Sequence, residues 1–466
     1  MNALIIMLAL ALTVTVAFFT GGDGAAALFL CLVLAASCGA LVHRAGGEFL
    51  LRVFVLGVLV RVAVGTIIYV EGLQEFFGGD ALTYDFQGTE VYRYWAGQIQ
   101  YRQIGFNLET RDWGMPYLVA SLYGLLGRNM LALQYVNAVL GGATAAIIFL
   151  CARHIFQNVR VARLSAIFVA FYPSLVLWSS QGLKDGPVVF MLALSILTTL
   201  RLSEKYSVKQ VLILITSLFA IHSLRFYIFY MLVAAVGGTL IIGARRFRER
   251  SLAKQFVLIA CVGLAMTYLG VLRTASAQFE MFGNLESINM GRMELAGTAN
   301  SGFGRDVDVS TVSGALTAIP IGMVYLLFAP FPWQLVNLRQ SLTLPEMLVW
   351  WGAFPFLVVG LWFTLRYRMR QALPILVFTT MLTLAYSVFQ GNVGTAYRQR
   401  SQLLVFYFIF ASVGLVIARE TKEDKQREAR QARLLAQNAT ALAVARRKQA
   451  QEWQSIADRL SEKIGF

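Results

Sequence analysis

Runs of about 20 apolar residues recur along the whole chain, and they constrain its fold more than any other feature. A run of that length spans the hydrocarbon core of a bilayer as one α-helix. Only 14% of the residues are charged, whereas soluble domains carry about 25%. The sequence therefore predicts an all-α polytopic membrane protein with about 12 transmembrane helices. The predicted spans are residues 3–20, 24–43, 48–70, 129–152, 165–180, 185–201, 210–223, 226–243, 255–272, 346–365, 372–389 and 402–418.

The basic residues predict how these helices cross the membrane. The chain has a formal charge of +15, and most of its lysines and arginines lie in short loops between apolar runs. Because positive loops face the cytoplasm, this charge indicates topology and contact with lipid headgroups, and not binding of nucleic acid. The basic clusters are Arg153/Arg160/Arg163, Arg201/Lys205/Lys209, Arg245/Arg246/Arg248/Arg250/Lys254 and Arg366/Arg368/Arg370. With these inside, both termini are cytoplasmic and the outer loops are 71–128, 181–184, 273–345 and 390–401.

One further apolar segment, 314–333, must not make a simple crossing if this topology is to hold. If the segment crossed the membrane, the basic cluster at Arg366 would lie outside. Pro320, Pro330 and Pro332 favour a broken or re-entrant segment, which membrane proteins tolerate where it lines a cavity.

Residues 419–466 differ in composition from the rest of the chain. They contain no proline and are rich in Ala, Gln, Leu and basic residues, which is typical of a long amphipathic helix. We expect a cytoplasmic basic helix that binds membrane lipids or pairs with a partner protein. A solvated tail is the alternative that the sequence leaves open.

The stretch FFGGDALTYD, residues 76–85, places two carboxylates where an apolar run leaves the membrane. The two glycines indicate a turn, and the aromatic-rich stretch that follows predicts a helix in the headgroup layer, with Tyr84 on its apolar face and Asp85 on the other. An ionisable group at that depth is a candidate functional residue. Asp80 is placed to take a proton from a hydroxyl group, although capping of the helix explains an Asp there equally well.

Other outer boundaries also carry charged residues. Lys184 and Asp185 lie in a very short loop between two spans, where Asp185 could also cap the following helix. Outer arginines run against the positive-inside trend, and recognition of an anionic phosphate explains them because a guanidinium binds it with two hydrogen bonds. Snorkelling to lipid headgroups is the alternative. The residues at these boundaries are His222, Arg225, Arg398 and Arg400.

The outer loop 273–313 is long, polar and rich in Gly, Asn and Ser, which is typical of a lid or a substrate-binding loop. Its charged residues are Glu280, Glu286, Arg292, Glu294, Arg305, Asp306 and Asp308. None of them specifies a ligand by itself.

Several of these motifs, in this order, resemble the GT-C superfamily of membrane glycosyltransferases. DALTY at 80–84 is similar to the D-x-x-x-Y start of that superfamily's first outer loop. GMPYLVASLYGLLGRNMLALQYVNAVLGG resembles its next segment, RLSAIFVAFYPSLVLWSSQGLKDGPVVF the hairpin that follows, and AYRQRSQLLVFYFIFASVGL the Arg motif of its last span. The protein-mannosyltransferase-like and aminoarabinose-transferase-like branches are the most similar.

The resemblance implies a glycosyltransferase of cell-envelope glycan or glycolipid synthesis that takes its sugar from a polyprenyl-phosphate donor. It implies an inverting transfer to a glycan, lipid or protein acceptor on the periplasmic face of a bacterial inner membrane. Asp80 is then the general base, with Asp85 and Asp185 as further catalytic acids. The residues expected to bind the donor phosphate are Lys184, Arg225, Arg398 and Arg400. Those expected in the substrate pocket are Tyr84, His222 and Arg292.

The resemblance also implies a domain organisation: two extra N-terminal helices in 1–47, a GT-C-like core in 48–243, a C-terminal membrane part in 244–418, and the helix 419–466. The sequence departs from the superfamily in these extra helices and in having no large outer C-terminal domain. It also has Ala81 where many members carry Glu. This last difference weighs against an acidic pair that binds metal, so a divalent cofactor stays open and no metal ligands are assigned.

Two other classes of function remain as alternatives. An O-antigen-type polymerase or ligase would act on diphosphate-linked oligosaccharides through arginines in late loops, such as Arg292, Arg305 and Arg398. A lipid or polysaccharide transporter would carry charged residues within its spans, for which Arg52 and Arg61 are the candidates. A membrane scaffold that assembles through 419–466 is a further non-enzymatic alternative.

Overall fold

A computed structural model describes residues 3–106, 113–242, 260–271, 275, 278, 283–298, 301–304, 307–335 and 338–464. In these residues the regular structure is helical, apart from an isolated bridge between Gly302 and Asn392. The helices of the first half are α1 (Ala3–Val70), α2 (Asp80–Trp95), α3 (Gly114–Leu126), α4 (Met130–Phe156), α5 (Val159–Phe171), α6 (Pro173–Ser179), α7 (Asp185–Glu204), α8 (Val208–Leu224) and α9 (Phe226–Ile242). Those of the second half are α10 (Leu285–Thr298), α11 (Val312–Phe328), α12 (Leu338–Tyr367), α13 (Met369–Phe389) and α14 (Val393–Ile464).

The lengths and apolar compositions of these helices confirm an all-α polytopic membrane protein. In the described part of the chain, 6 helices are long and apolar enough to cross a bilayer, or 7 if one bent pair counts as a span. The first of them, α1, has 68 residues and is interrupted by left-handed backbone at Gly21 and Gly47. These breaks divide α1 into three apolar segments that match the first three predicted spans. Four shorter helices, α3, α8, α9 and α11, are apolar as well.

The predicted span 165–180 is a bent pair, in which α5 and α6 meet at an angle of 55°. Pro173 begins α6, and because proline lacks an N–H group, carbonyls at the end of α5 lose their helical partners. Arg61 supplies the missing donors from α1. Its guanidinium donates to the carbonyl of Ala170 at 2.7 Å, to that of Val169 at 3.2 Å and to the hydroxyl of Ser179 at 2.7 Å.

A second buried arginine completes another helix end in the same way. The apolar segment 314–333 includes most of α11, which begins at Val312, continues through Pro320 and ends at Phe328 before a short 3₁₀ turn. Arg400 donates to the carbonyls of Leu327 and Ala329 at 2.9 and 3.0 Å. The indole of Trp350 donates to the Leu327 carbonyl as well, at 2.6 Å. The chain therefore changes direction after the helix, with its carbonyls hydrogen-bonded.

The chain divides into two compact units, residues 1–413 and 414–466. The second unit is the long C-terminal part of α14, which is helical as far as Ile464. Its large apolar side chains are exposed, among them Leu435, Leu442 and Trp453. The basic cluster predicted at 245–254, and parts of the predicted span 255–272, lie outside the described residues.

Candidate active site

A glycine turn brings Asp80 to the start of α2. Gly78 and Gly79 both have positive φ, at 123° and 73°, a backbone that glycine adopts without the steric cost of a Cβ atom. Farther along, Gly88 lies so close to Val119 of α3 that a Cβ atom would clash with it, and this contact fixes α2 against α3. The Asp80 side chain is 47% exposed and therefore remains accessible to a ligand.

Arg398 of α14 joins this carboxylate to a second one. Its Nη1 donates to Oδ2 of Asp80 at 2.5 Å, and its Nε donates to Oδ2 of Asp185 at 2.8 Å. The guanidinium also lies over the ring of Trp178, 5.5 Å from its centroid. One arginine thus links the first residue of α2, the first residue of α7 and the start of α14.

Asp185 is the buried centre of the cluster, with a side chain only 1% exposed. Its Oδ1 accepts a hydrogen bond from Arg225 at 2.8 Å. Arg225 in turn donates to the hydroxyl of Tyr227 at 2.9 Å. A carboxylate this buried is stable in its charged form only with such partners. We therefore assign Asp185 the role of holding the two arginines in position, since an acceptor hydroxyl has little access to it.

The turn before Asp185 is fixed by an asparagine of α4. The side-chain amide of Asn137 donates to the carbonyls of Gln181 and Leu183, at 2.7 and 2.8 Å. Lys184 follows this turn at the N-terminus of α7 and interacts electrostatically with Asp185. The cluster therefore contains three cationic and two anionic side chains, and this balance favours one further negative charge.

Tyr84 lies one turn of α2 beyond Asp80 and interacts electrostatically with the same carboxylates. Burial, together with the negative charges of Asp80 and Asp185, raises the pKa of Tyr84 well above its ordinary value. Its phenol is therefore a hydrogen-bond donor that stays protonated at neutral and moderately alkaline pH.

A cavity of about 900 Å³ opens beside this cluster. Asp80, Arg225 and Arg398 form its charged end, and side chains of α1, α5 and α6 form an apolar wall. A cavity with one charged end and one apolar wall suits an amphiphilic ligand with an anionic head. The apolar lining includes Val60, Val64, Phe77, Phe171, Pro173, Leu177 and Leu342.

Asp85 lies elsewhere, and its predicted position on the polar face of α2 is wrong. It is buried at 3% exposure, on the face of α2 that packs against α3. Its carboxylate accepts hydrogen bonds from the hydroxyl of Tyr123 and from Arg128, both at 2.5 Å. This pairing fixes the rotation of α2, and we assign Asp85 a positioning role instead of the predicted catalytic one.

Six other predicted residues also lie outside the cavity lining: Tyr84, Lys184 and Asp185, described above, and Arg400, His222 and Arg292. Arg400 is fully buried and donates hydrogen bonds to the backbone carbonyls of Leu327 and Ala329 at the end of α11. We therefore assign it a structural role instead of a contact with phosphate. His222 is buried with its ring against Phe229. Arg292 donates to the carbonyl of Val307 at 2.6 Å and so fixes the outer loop to α10. Arg305, Asp306 and Glu280 of that loop are outside the described residues.

The cavity contains polar residues that the sequence analysis did not select. They lie mainly on the first turns of α12, which begins at Leu338. Polar residues spaced three apart at the start of a helix could have indicated that they share one face. These residues, however, fall at the boundary between a predicted outer loop and a predicted span. The residues are Arg339, Gln340, Thr343 and Glu346 on α12, with Ser174, Trp178 and Tyr397 from α6 and α14.

The fit of a metal ion can be tested on the acidic residues of the site. Within the described ranges, no three His, Cys, Asp or Glu side chains come together in a group that could hold a metal. Asp80 and Asp185 both direct oxygens at Arg398. This set of donors does not fit a divalent ion, and we derive no step of the chemistry through one.

The central part of the chain matches a known enzyme family. Residues 113–269, about a third of the 466-residue chain, match the family of dolichyl-phosphate-mannose-protein mannosyltransferases. This match confirms the resemblance to GT-C membrane glycosyltransferases over that part of the chain. No curated protein sequence matches the chain significantly.

Three solved structures are similar to the chain at low identity. ArnT from Cupriavidus metallidurans, bound to undecaprenyl phosphate, is 16% identical with a TM-score of 0.45, covering 74% of this chain and 60% of ArnT. AglB from Archaeoglobus fulgidus, in complex with an inhibitory peptide and a dolichol-phosphate, is 12% identical with a TM-score of 0.48, covering 82% of this chain and 51% of AglB. The apo oligosaccharyltransferase of Archaeoglobus fulgidus gives 12% identity, a TM-score of 0.47 and coverage of 82% and 52%. The chain thus spans about half to three-fifths of the length of these proteins.

Proposed function

We propose that this protein is an integral-membrane glycosyltransferase that transfers a sugar from a polyprenyl-phosphate donor to an acceptor hydroxyl. The observation that carries the proposal is the position of Arg398 between Asp80 and Asp185, at the charged end of a cavity with an apolar wall. A lipid phosphate fits this end because a guanidinium binds phosphate oxygens strongly. The family match over residues 113–269 supports the same class of reaction.

Asp80 and Asp185 differ in exposure, and we assign them different roles on that basis. Asp80 is 47% exposed and lines the cavity, so it can reach a hydroxyl group of the acceptor. Asp185 is 1% exposed and holds both arginines. We therefore assign the general base to Asp80 and the positioning of the cations to Asp185.

The reaction follows from these positions. Asp80 takes the proton of the acceptor hydroxyl while its oxygen attacks the anomeric carbon of the donor sugar. A new glycosidic C–O bond forms, and the bond between the anomeric carbon and the phosphate oxygen breaks. The leaving polyprenyl phosphate gains negative charge, which Arg225 and Arg398 stabilise with Lys184 nearby. Attack from the side opposite the phosphate gives inversion at the anomeric carbon.

The predicted membrane topology supports a site on the outer side. The loops that carry Asp80, Asp185 and Arg398 all lie outside when the basic loops face the cytoplasm. We propose a bacterial inner membrane, a site open to the periplasm, and a role in cell-envelope glycan or glycolipid synthesis. The acceptor is then a glycan, a lipid or a protein.

The donor class is tested with purified protein in lipid nanodiscs. Polyprenyl-phosphate monosaccharides and, in parallel, diphosphate-linked oligosaccharides are incubated with a mixture of glycan and lipid acceptors, and consumption of each donor is followed by mass spectrometry. We expect wild type to consume at least one monosaccharide donor. Consumption of diphosphate-linked oligosaccharides alone would replace the proposal with a polymerase or ligase.

A further inference from the structure

The cavity has a polar wall that the proposed chemistry does not use. Gln340, Thr343 and Glu346 line it and recur every three residues, so they lie on one side of the first turns of α12. Together they offer an amide, a hydroxyl and a carboxylate, groups that exchange hydrogen bonds with hydroxyl-rich ligands. We call these three residues the α12 stripe. It faces the same space as Asp80 and Arg398.

Glu346 is a buried member of the α12 stripe, and Arg400 is the cation that acts on its charge. It is 5% exposed, and across the described residues no basic side chain forms an ion pair with it. Arg400, on the neighbouring part of α14, gives its donors to backbone carbonyls and to Met347. A buried carboxylate is costly unless it accepts hydrogen bonds, and among the described residues its Oε1 has no hydrogen-bond partner, so a donor group of a ligand would complete its surroundings.

The protein itself supplies only part of what this carboxylate can accept. The hydroxyl of Tyr397 donates to Oε2 of Glu346 at 2.8 Å, and Ser174 lies beside the carboxylate. A carboxylate accepts about four hydrogen bonds. The hydroxyl of Tyr172 is also close, but it donates to the backbone carbonyl of Glu346. Acceptor capacity at Oε1 therefore remains for a ligand in the cavity.

Aromatic side chains connect this carboxylate to the phosphate-binding end. The rings of Tyr397 and Trp178 have centroids 6.4 Å apart, and the Arg398 guanidinium lies over the Trp178 ring. All three residues line the cavity. Aromatic faces provide apolar contact, which suits the C–H face of a sugar ring held between the guanidinium and Glu346.

We propose that the α12 stripe, with Trp178 and Tyr397, is a subsite for a polyhydroxylated sugar ring and that Glu346 is its principal hydrogen-bond acceptor. The subsite adjoins the guanidinium that binds the lipid phosphate. This inference rests on the proposed function and deepens it, since it assigns the residues that distinguish a sugar-bearing lipid from the bare lipid phosphate. The ring belongs either to the donor or to a glycan acceptor.

Binding measurements on the full chain in nanodiscs test the subsite. The probes are polyprenyl phosphate, the same lipid carrying mannose, glucose or galactose, and the soluble glycoside methyl α-mannoside. The variants are Glu346→Gln, which keeps the shape of the side chain, and Thr343→Val, with Ser341→Ala on the same helix as the matched control. We expect both variants to weaken binding of a sugar-bearing probe about tenfold and to leave the affinity for polyprenyl phosphate unchanged.

The outcomes separate the subsite from the proposed function. Weaker binding of the sugar-bearing lipids assigns the ring to the donor, and weaker binding of methyl α-mannoside alone assigns it to the acceptor. Equal affinities of wild type and both variants for every sugar-bearing probe would overturn the subsite, as would an equal loss for the bare lipid phosphate. If wild type binds none of the lipids, the proposed function fails and the subsite fails with it. Thermal unfolding shows that each variant is folded.

Discussion

Arg398 donates a hydrogen bond to Asp80 at 2.5 Å across 318 positions of the sequence. The contact brings the proposed base next to a guanidinium that is placed to bind the leaving phosphate. In the proposed reaction, one arginine therefore contacts both the base and the leaving group.

Replacing Arg398 by lysine is expected to reduce donor binding and the rate of transfer. A lysine ammonium is a single point charge and cannot reproduce the planar contacts of Arg398 with Asp80 and Asp185. We expect kcat/KM to fall by about 10²–10³-fold, the range found when one group that stabilises developing charge is removed. The measurement is the rate of donor consumption over a range of donor concentrations.

The matched control is Arg93→Lys, which changes an exposed arginine at the end of α2. It should leave kcat/KM within about twofold of wild type, because surface ion pairs contribute little. Equal rates for Arg398→Lys and wild type would show that Arg398 does not bind the phosphate.

Arg61 is predicted to stabilise the fold. This role differs from the one that a transporter would give to a charged residue within a span. Arg61→Leu removes the donors that satisfy the carbonyls of Val169 and Ala170 at the bend between α5 and α6. Each carbonyl left unsatisfied costs about 1–3 kcal/mol, so the thermal unfolding temperature in detergent should fall by several degrees. Arg52→Gln is the control, since Arg52 forms an exposed pair with Glu48. An unchanged unfolding temperature for Arg61→Leu would contradict this role.

Asp85→Asn should act on the position of α2. The substitution weakens the hydrogen bonds with Tyr123 and Arg128 that fix the rotation of the helix. We expect loss of about 1–3 kcal/mol of stability and a lower kcat, with little change in affinity for polyprenyl phosphate. Hydrogen exchange of α2 should increase. A variant that is inactive while α2 is as protected as in wild type would return Asp85 to a catalytic role.

The raised pKa of Tyr84 sets an expectation for alkaline pH. Burial and the charges of Asp80 and Asp185 keep its phenol protonated above the ordinary tyrosine value of 10.0. Rates of wild type and Tyr84→Phe measured up to about pH 10 should therefore show the same alkaline dependence. A fall in rate below pH 10 that is present in wild type and absent in Tyr84→Phe would show that the pKa is not raised.

The sequence predicts the fold class and much of the cluster because both follow from patterns along the chain. Apolar length predicts the helices, and alternate crossings place Asp80, Asp185, Arg225 and Arg398 in loops on one side. The structure brings these four side chains together in one hydrogen-bonded cluster.

Tertiary packing decides what those patterns leave open. Whether Asp85 faces lipid headgroups or α3 depends on the close contact between Gly88 and Val119, which no periodicity in α2 reveals. Arg400 lies two residues after Arg398 in the same sequence motif, but its guanidinium donates hydrogen bonds to the carbonyls at the end of α11. Glu346 lines a cavity that is formed by helices distant in the sequence, so its position beside Asp80 and Arg398 cannot be predicted from the sequence around it.

Whether Asp80 is the base is tested by comparing Asp80→Asn with Glu90→Gln, a change of another acid on the same helix. Each purified variant is assayed in nanodiscs with the donor that wild type consumes, and binding of polyprenyl phosphate is measured alongside. If Asp80 is the base, Asp80→Asn loses about 10²–10⁴-fold in transfer while it still binds the lipid, and Glu90→Gln transfers like wild type. Full transfer by a folded Asp80→Asn variant would contradict the assignment of the base.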